Sequence, residues 1–311
     1  MTAESISPIR VAVAGASGLL GSALVRKLAA DGHTVLRLVR RAPRGAGEVR
    51  WDPAAGTVDA AALEGVDAVV NLAGESVAER WTEARKARIR ASRAGATRLL
   101  ATTLAGLERK PRVLVNASAV GLYGERGDER LDETSAPGGG FLAEVVRDWE
   151  AATEPASAAG IRVVLPRFGV VLSARGGALA KLLTPFRLGA GGPIGGGRQW
   201  MPWISLDDAV ALMELAIHDE RFSGPVNAVA GAVTNQQFVH TLGHVLNRPA
   251  IVPLPGFALK LAFGEMATET ILVSQRAEPR ALTQLGYSFI HPELEGALRA
   301  ALAEGDHARP G

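Results

Sequence analysis

The chain has 311 residues, 47% hydrophobic and 21% charged, an ordinary composition for a soluble globular protein of one large domain or slightly more. It contains no cysteine, which excludes disulfides, cysteine nucleophiles and thiolate metal sites and fits a cytoplasmic protein. The formal charge is +2, from 34 basic and 32 acidic residues, and no basic stripe interleaved with aromatics occurs, so no nucleic-acid partner is expected.

Along the chain, the start MTAESISPIR lacks the charged and apolar regions of a signal peptide. The apolar run IRVAVAG, 9–15, predicts a buried parallel strand. A helix over 19–33 follows and stops at Asp31-Gly32. Further strands are expected at 34–41, 66–74, 112–118 and 224–231, and 161–173 reads as a strand and its exit, with an Arg-rich helical stretch at 79–105 and a helix at 141–160. Alternating strands and helices imply an α/β fold, a doubly wound parallel sheet of the Rossmann kind. Residues 1–230 are expected to form an NAD(P)-binding domain, with a Gly-rich loop crossing the sheet's edge at about 176–204. Residues 231–311 are expected to form a smaller, mainly helical lobe. The last residues, EGDHARPG, read as a frayed tail. No run reaches the roughly 18 apolar residues of a transmembrane helix, so no membrane partner is expected.

The strongest motif is GASGLLG, with Gly15, Gly18 and Gly21 spaced G-x-x-G-x-x-G between the first strand and the first helix. One glycine allows the turn out of the strand, one lets a pyrophosphate approach the backbone, and one lets the helix pack on the strand. The spacing differs by one residue from the G-x-G-x-x-G fingerprint. The second strand ends in Arg40 and Arg41, where NAD enzymes carry an acid for the ribose 2′-OH. Two guanidinium groups suit a 2′-phosphate, so NADP(H) is expected in preference to NAD(H). Two solvated surface arginines are the alternative.

Together with NLAG at 71–74 and a Ser–Tyr-Gly segment at 118–124, this motif resembles the extended short-chain dehydrogenase/reductases, the superfamily of sugar-nucleotide epimerases and dehydratases. The chain is most similar to an atypical branch, the epimerase family proteins, through WDP (51–53), NLAGE (71–75), DWEAA (148–152), PFRLGAGGPIGGGRQWMPWISLDD (185–208) and GYSFIHPELEGAL (286–298). The resemblance implies phosphate contacts from Gly15, Ser17, Gly18, Leu19, Leu20 and Gly21, and adenosine-ribose contacts from Arg40 and Arg41. It implies that Leu72, Ala73 and Gly74 lie beside the adenine and ribose, and Arg167, Phe168 and Gly169 near the nicotinamide. Arg93 reads either as a group reaching the cofactor or as a solvated helix arginine.

The superfamily's proton chemistry uses a Ser or Thr and a Tyr-x-x-x-Lys pair, whose lysine lowers the phenol pKa. This chain has no such pair. The residues four before its five lysines are Ala23, Thr82, Gly106, Gly177 and Gly256, and Phe141 and Val145 stand where the pair should be. Ser118 and Tyr123 remain as catalytic candidates. Their alternatives are a strand-end serine bonded to backbone and a tyrosine that only packs. Glu144 reads as a helix surface residue. His240 and His244 have metal-ligand spacing but lack the H-E-x-x-H glutamate, so no metal is expected. Trp200 and Trp203 could wall a pocket or clamp a loop. Two functions stay open. One is an NADP(H)-dependent oxidoreductase or epimerase acting on a small carbonyl or hydroxyl compound, nucleotide sugars included. The other is a non-catalytic NADP(H)-binding sensor. A monomer or homodimer is expected.

Overall fold

In the computed structural model, which describes residues 7–307, apolar strands assemble into one large sheet. From one edge the order is Gly224–Ala228, Arg162–Phe168, Val113–Asn116, Ala68–Asn71, Arg10–Ala14, Thr34–Val39 and Glu48–Asp52, all parallel. Thr57–Val58 closes the far edge as an antiparallel hairpin strand. Successive strands step one way from Arg10–Ala14 and then the other way from Ala68–Asn71. The point of reversal therefore lies between those two strands, where doubly wound sheets bind ligands.

Alternation along each strand builds two cores. Val11, Val13, Val70, Val113 and Val115 pack under the helices Leu19–Ala30 and Leu206–His218, against Leu24, Leu28, Ala209 and Met213. Ala12, Ala14, Val69 and Leu114 face the other way, onto Leu100, Leu104 and Ala156. Period-two side chains on a sheet covered on both faces require this, and it explains why the strands read as unbroken apolar runs.

Three elements differ from expectation. The strand expected within 161–173 leaves the main sheet at Gly169, where a Cβ would come within 2.7 Å of the Pro202 carbonyl oxygen, and its exit is a strand of its own. Val170–Leu172 then pairs with Trp200–Ser205, which pairs in turn with Gly231–Thr234. Within the stretch expected to cross as a loop, Gly177–Arg187 is helical and Trp200–Ser205 is a strand. The helix expected at 141–160 divides into Phe141–Ala151 and Glu154–Ala158, with Pro155 in the first turn of the second, where its missing N–H costs nothing.

A third core joins Leu172, Leu179, Leu183, Phe186 and Trp203 to Phe238, Leu242, Leu294 and Leu298. The helix Leu294–His307 takes in the first part of the segment expected to fray; residues 308–311 of that tail, and residues 1–6 of the N-terminal stretch, lie outside the described residues. Among the described residues no helix is long and apolar enough to cross a membrane.

Candidate functional site

The first strand delivers the chain to Gly15, whose φ of +74° is left-handed and whose Cβ would lie 2.6 Å from the Leu72 carbonyl carbon. Both conditions demand glycine. Gly21 is held just as tightly, since a Cβ there would fall 2.2 Å from the Gly15 carbonyl oxygen. Gly18 differs. It precedes the helix Leu19–Ala30 with φ −73°, and a Cβ would meet only the Gly15 oxygen, at 3.3 Å. Its open side is the approach a pyrophosphate would need, at the positive end of a helix. The turn therefore fits a dinucleotide, with Ser17, Leu19 and Leu20 in the same turn and first helical residues.

Leu72, Ala73 and Gly74 follow the neighbouring strand across the switch point. The Leu72 N–H donates to the Ala14 carbonyl at 3.0 Å. Buried Asn71 fixes the segment. Its carbonyl oxygen accepts from the Ala73 N–H, while its amide donates to Thr97 Oγ1 at 2.9 Å and Asn116 Oδ1 at 2.7 Å. Trp149 Nε1 donates to the same threonine at 3.0 Å. Arg93 resolves into neither earlier reading alone. It sits in a five-residue π-helical turn, Ala91–Gly95, of the long helix and donates to the Glu75 carbonyl at 2.9 Å. Its guanidinium stacks on Trp149 and lies 3.2 Å from where a Gly74 Cβ would be. Burial lowers its pKa to about 10, against the opposing charge of Glu75.

Arg40 and Arg41 do not behave alike. Arg41 donates to both carboxylate oxygens of Glu48, and this contact, with the Arg44 N–H, lowers the Glu48 pKa to about 2. Arg40 is exposed, and no protein partner meets its side chain among the described residues.

The catalytic candidates occupy a buried ladder. Ser118 Oγ donates to Glu150 Oε1 at 2.5 Å. Glu150 also accepts from Arg167, Nε to Oε1 at 2.8 Å and Nη2 to Oε2 at 2.9 Å. Arg167 Nη1 reaches the Tyr123 oxygen at 3.1 Å. The Tyr123 hydroxyl faces Asn227 Oδ1 at 2.7 Å and the Asp132 carbonyl at 3.0 Å. Tyr123 is fully buried, among Val120, Leu131, Val229 and Ala277. Its single proton is already taken, and burial raises its pKa despite the neighbouring Arg167 charge. Tyr123 is thus enclosed in the scaffold with the Arg167 cation beside its hydroxyl, which matches the alternative of a tyrosine that packs. Arg167 and Phe168 are buried in the same strand end, and Gly169 is pressed against Pro202.

The positions of the missing Tyr and Lys are filled by packing. Val145 is buried with Trp81, Ile89 and Met266, and Phe141 meets Trp81 edge-on at 5.1 Å. Glu269, from the C-terminal part, accepts the Phe141 and Leu142 N–H groups at 3.0 and 2.8 Å. Beside it lies a cavity of about 270 Å³ lined by Gly121, Gly124, Glu125, Leu142, Lys260 and Thr268. Trp203 belongs to the third core, and Trp200 donates to Asp128 and stacks under Arg276. Glu144 pairs with Arg90 on the surface, and His240 and His244 lie on an exposed helix face.

A glycine turn at a switch point, followed by a strand-end Ser–Tyr-Gly segment, defines a dinucleotide-fold protein of the epimerase kind. The model of the NAD dependent epimerase/dehydratase family matches residues 11–229, and the chain belongs to that family. Residues 254–301 match a domain of unknown function, DUF1731. An epimerase family protein of Mycobacterium tuberculosis is 48% identical over 93% of this chain and 96% of its own length. The crystal structure of human epimerase family protein SDR39U1 (isoform 2) with NADPH superposes with a TM-score of 0.86 at 36% identity, covering 95% of this chain and 99% of that one. A nucleoside-diphosphate sugar epimerase from Corynebacterium glutamicum superposes at 0.78 with 38% identity, covering 97% of this chain and 61% of that one.

Proposed function

We propose that this protein binds NADP(H) and is a short-chain dehydrogenase/reductase-type oxidoreductase or epimerase acting on a small carbonyl or hydroxyl compound without a Tyr-x-x-x-Lys pair. The observation that carries the reading is the glycine turn: Gly15 and Gly21 are locked by their own backbone, while Gly18 is open on the side a pyrophosphate would use. The NADPH in the human SDR39U1 structure supports it. When bound, the dinucleotide gives or takes a hydride. Gly15, Ser17, Gly18, Leu19, Leu20 and Gly21 would hold its phosphates. Leu72, Ala73 and Gly74 would flank the adenosine, and Arg40 would meet the 2′-phosphate. Ser118 and Tyr123 serve here in the scaffold and not in the chemistry, because their hydroxyls are spent on Glu150 and Asn227.

That same observation favours the second reading, a dinucleotide sensor without turnover. Calorimetry with NADPH and NADH, followed by NADPH oxidation over a panel of carbonyl compounds and nucleotide sugars, separates the two. Tight NADPH binding with turnover supports the enzyme. Tight binding with no turnover across the panel moves the sensor ahead, and absence of NADPH binding removes both.

A further inference from the structure

Eight large apolar side chains are strongly exposed among the described residues, and seven of them gather in two segments, at Leu188 and at Ile251–Phe263. The segments run side by side. Arg248 Nε donates to the Arg187 carbonyl, the Val252 N–H to Gly191, the Leu254 N–H to Pro193, and the Gly195 N–H back to Leu254. The short helix Gly256–Phe263 continues this edge. Only Leu259 of its side chains is buried, while Phe257 and Leu261, one turn apart, point outward. Leu188, Ile251, Phe257 and Leu261 are 79%, 76%, 75% and 78% exposed. Side chains that open project from the surface and do not line a groove. So concentrated an apolar patch on one edge calls for a covering surface.

Charge says which surface. The chain carries 32 acids, yet none lies between Glu154 and Asp207 or between Glu220 and Glu265, the two stretches that build this edge. The cations Arg187, Arg248 and Lys260 flank the apolar side chains, and Arg80 donates to the Leu261 carbonyl. The acids that come near are already engaged: Glu265 with Lys86, Glu79 with Arg85, and Glu269 and Glu125, which line the cavity beside Lys260, with backbone N–H groups. A second copy fits poorly, because a two-fold pairing of this face would bring like cations together. We propose that this edge docks on a bilayer carrying anionic headgroups, with Phe257, Leu261, Ile251 and Val252 entering the acyl boundary and Lys260, Arg248 and Arg187 meeting the headgroup charge. The absence of a spanning helix bears only on crossing a membrane, and this is attachment to its surface.

The full chain is sedimented with vesicles of phosphatidylcholine alone and of phosphatidylcholine mixed with phosphatidylglycerol. Binding is expected to the mixed vesicles only and to weaken as salt is raised. Phe257→Ser with Leu261→Ser should weaken it about tenfold or more, since each buried side chain of that size is worth at least that factor. Ile251→Ser with Val252→Ser tests the other half of the patch independently, and unchanged thermal midpoints show that either variant is folded. Lys260→Gln with Arg248→Gln should weaken binding and flatten its salt dependence. Failure to bind the mixed vesicles, equal binding to both kinds, or a dimer of the parent chain that the serine variants dissolve would each overturn the proposal.

Discussion

The Arg167 guanidinium meets the Glu150 carboxylate side-on through two hydrogen bonds of 2.8 and 2.9 Å, in a pair nearly out of solvent. Burial works against the arginine's charge, and the carboxylate more than offsets it, holding the guanidinium above its usual pKa. Helix Phe141–Ala151 and strand Arg162–Phe168 are joined at this point, directly under the Ser–Tyr-Gly segment. The pair ties the segment's two hydroxyls into the scaffold.

Breaking the pair from one side should be costly. Glu150→Ala leaves Arg167 buried and unpaired, with an expected loss of about 3–5 kcal/mol. Ser118→Ala removes one hydrogen bond to the same carboxylate, and about 1 kcal/mol is expected. Urea unfolding of both variants measures the difference. Equal, small losses would mean that water reaches the pair.

Tyr123→Phe tests the scaffold role of the tyrosine. The change leaves Asn227 Oδ1 and Arg167 Nη1 short of a partner in a buried setting, so stability should fall by about 1–3 kcal/mol. NADPH affinity should match the parent, as should the rate on any substrate the panel yields. A large rate loss in a fully folded variant would return Tyr123 to the chemistry.

Much of this fold was legible from local pattern, and the site only in part. Apolar runs mark six strands and the glycine triplet marks the turn, because both follow from neighbours in the chain. The strand Glu48–Asp52 was not foreseen, since its charged and apolar residues alternate on a short strand beside the edge hairpin and leave no apolar run. The π-helical turn holding Arg93 carries no propensity signal. Nor could spacing reveal that Tyr123 would meet Asn227, 104 residues away, or that Glu269 would cap the helix at Phe141. DWEAA contains both Trp149 and Glu150. That stretch was visible as a family mark, but its work depends on partners brought together only by the sheet.

Gly18 and Gly21 should separate by role. Gly18→Val faces only a 3.3 Å contact in the protein, so the variant should fold with a near-parent thermal midpoint and lose NADPH binding. Gly21→Ala would press a methyl to 2.2 Å from a backbone oxygen and should cost stability even without ligand. If Gly18→Val binds NADPH as the parent does, the turn is structural only.

Arg40 and Arg41 should also separate. A charge-assisted hydrogen bond is worth about 1.5–3 kcal/mol, so Arg40→Ala should cut any preference for NADPH over NADH by about tenfold or more. Arg41 is held by Glu48, and Arg41→Ala should change the preference less. Calorimetry with both cofactors decides this. A larger effect at Arg41 would show that Glu48 releases it when the ligand arrives.

The pair His33 and His218 gives a pH signature. Their rings are 5.4 Å apart, and the His218 Nε2 atom is buried without a hydrogen-bond partner among the described residues. Desolvation, then the charges of His33 and Arg112, lower the His218 pKa from 6.5. The unfolded chain therefore binds this proton more readily than the folded one. Stability from this group is full above about pH 6.5 and declines as the pH falls toward the lowered folded value, by at most about 1.4 kcal/mol per pH unit for one proton. The carboxylates of Glu48 and Asp132, each lowered to about 2, act in a separate window, losing their contribution only as pH falls below the ordinary carboxylate range. Urea unfolding at about pH 7, 6 and 5 should show a falling midpoint in the parent and a flatter one in His218→Gln. A variant that kept the parent slope would locate the acid sensitivity elsewhere.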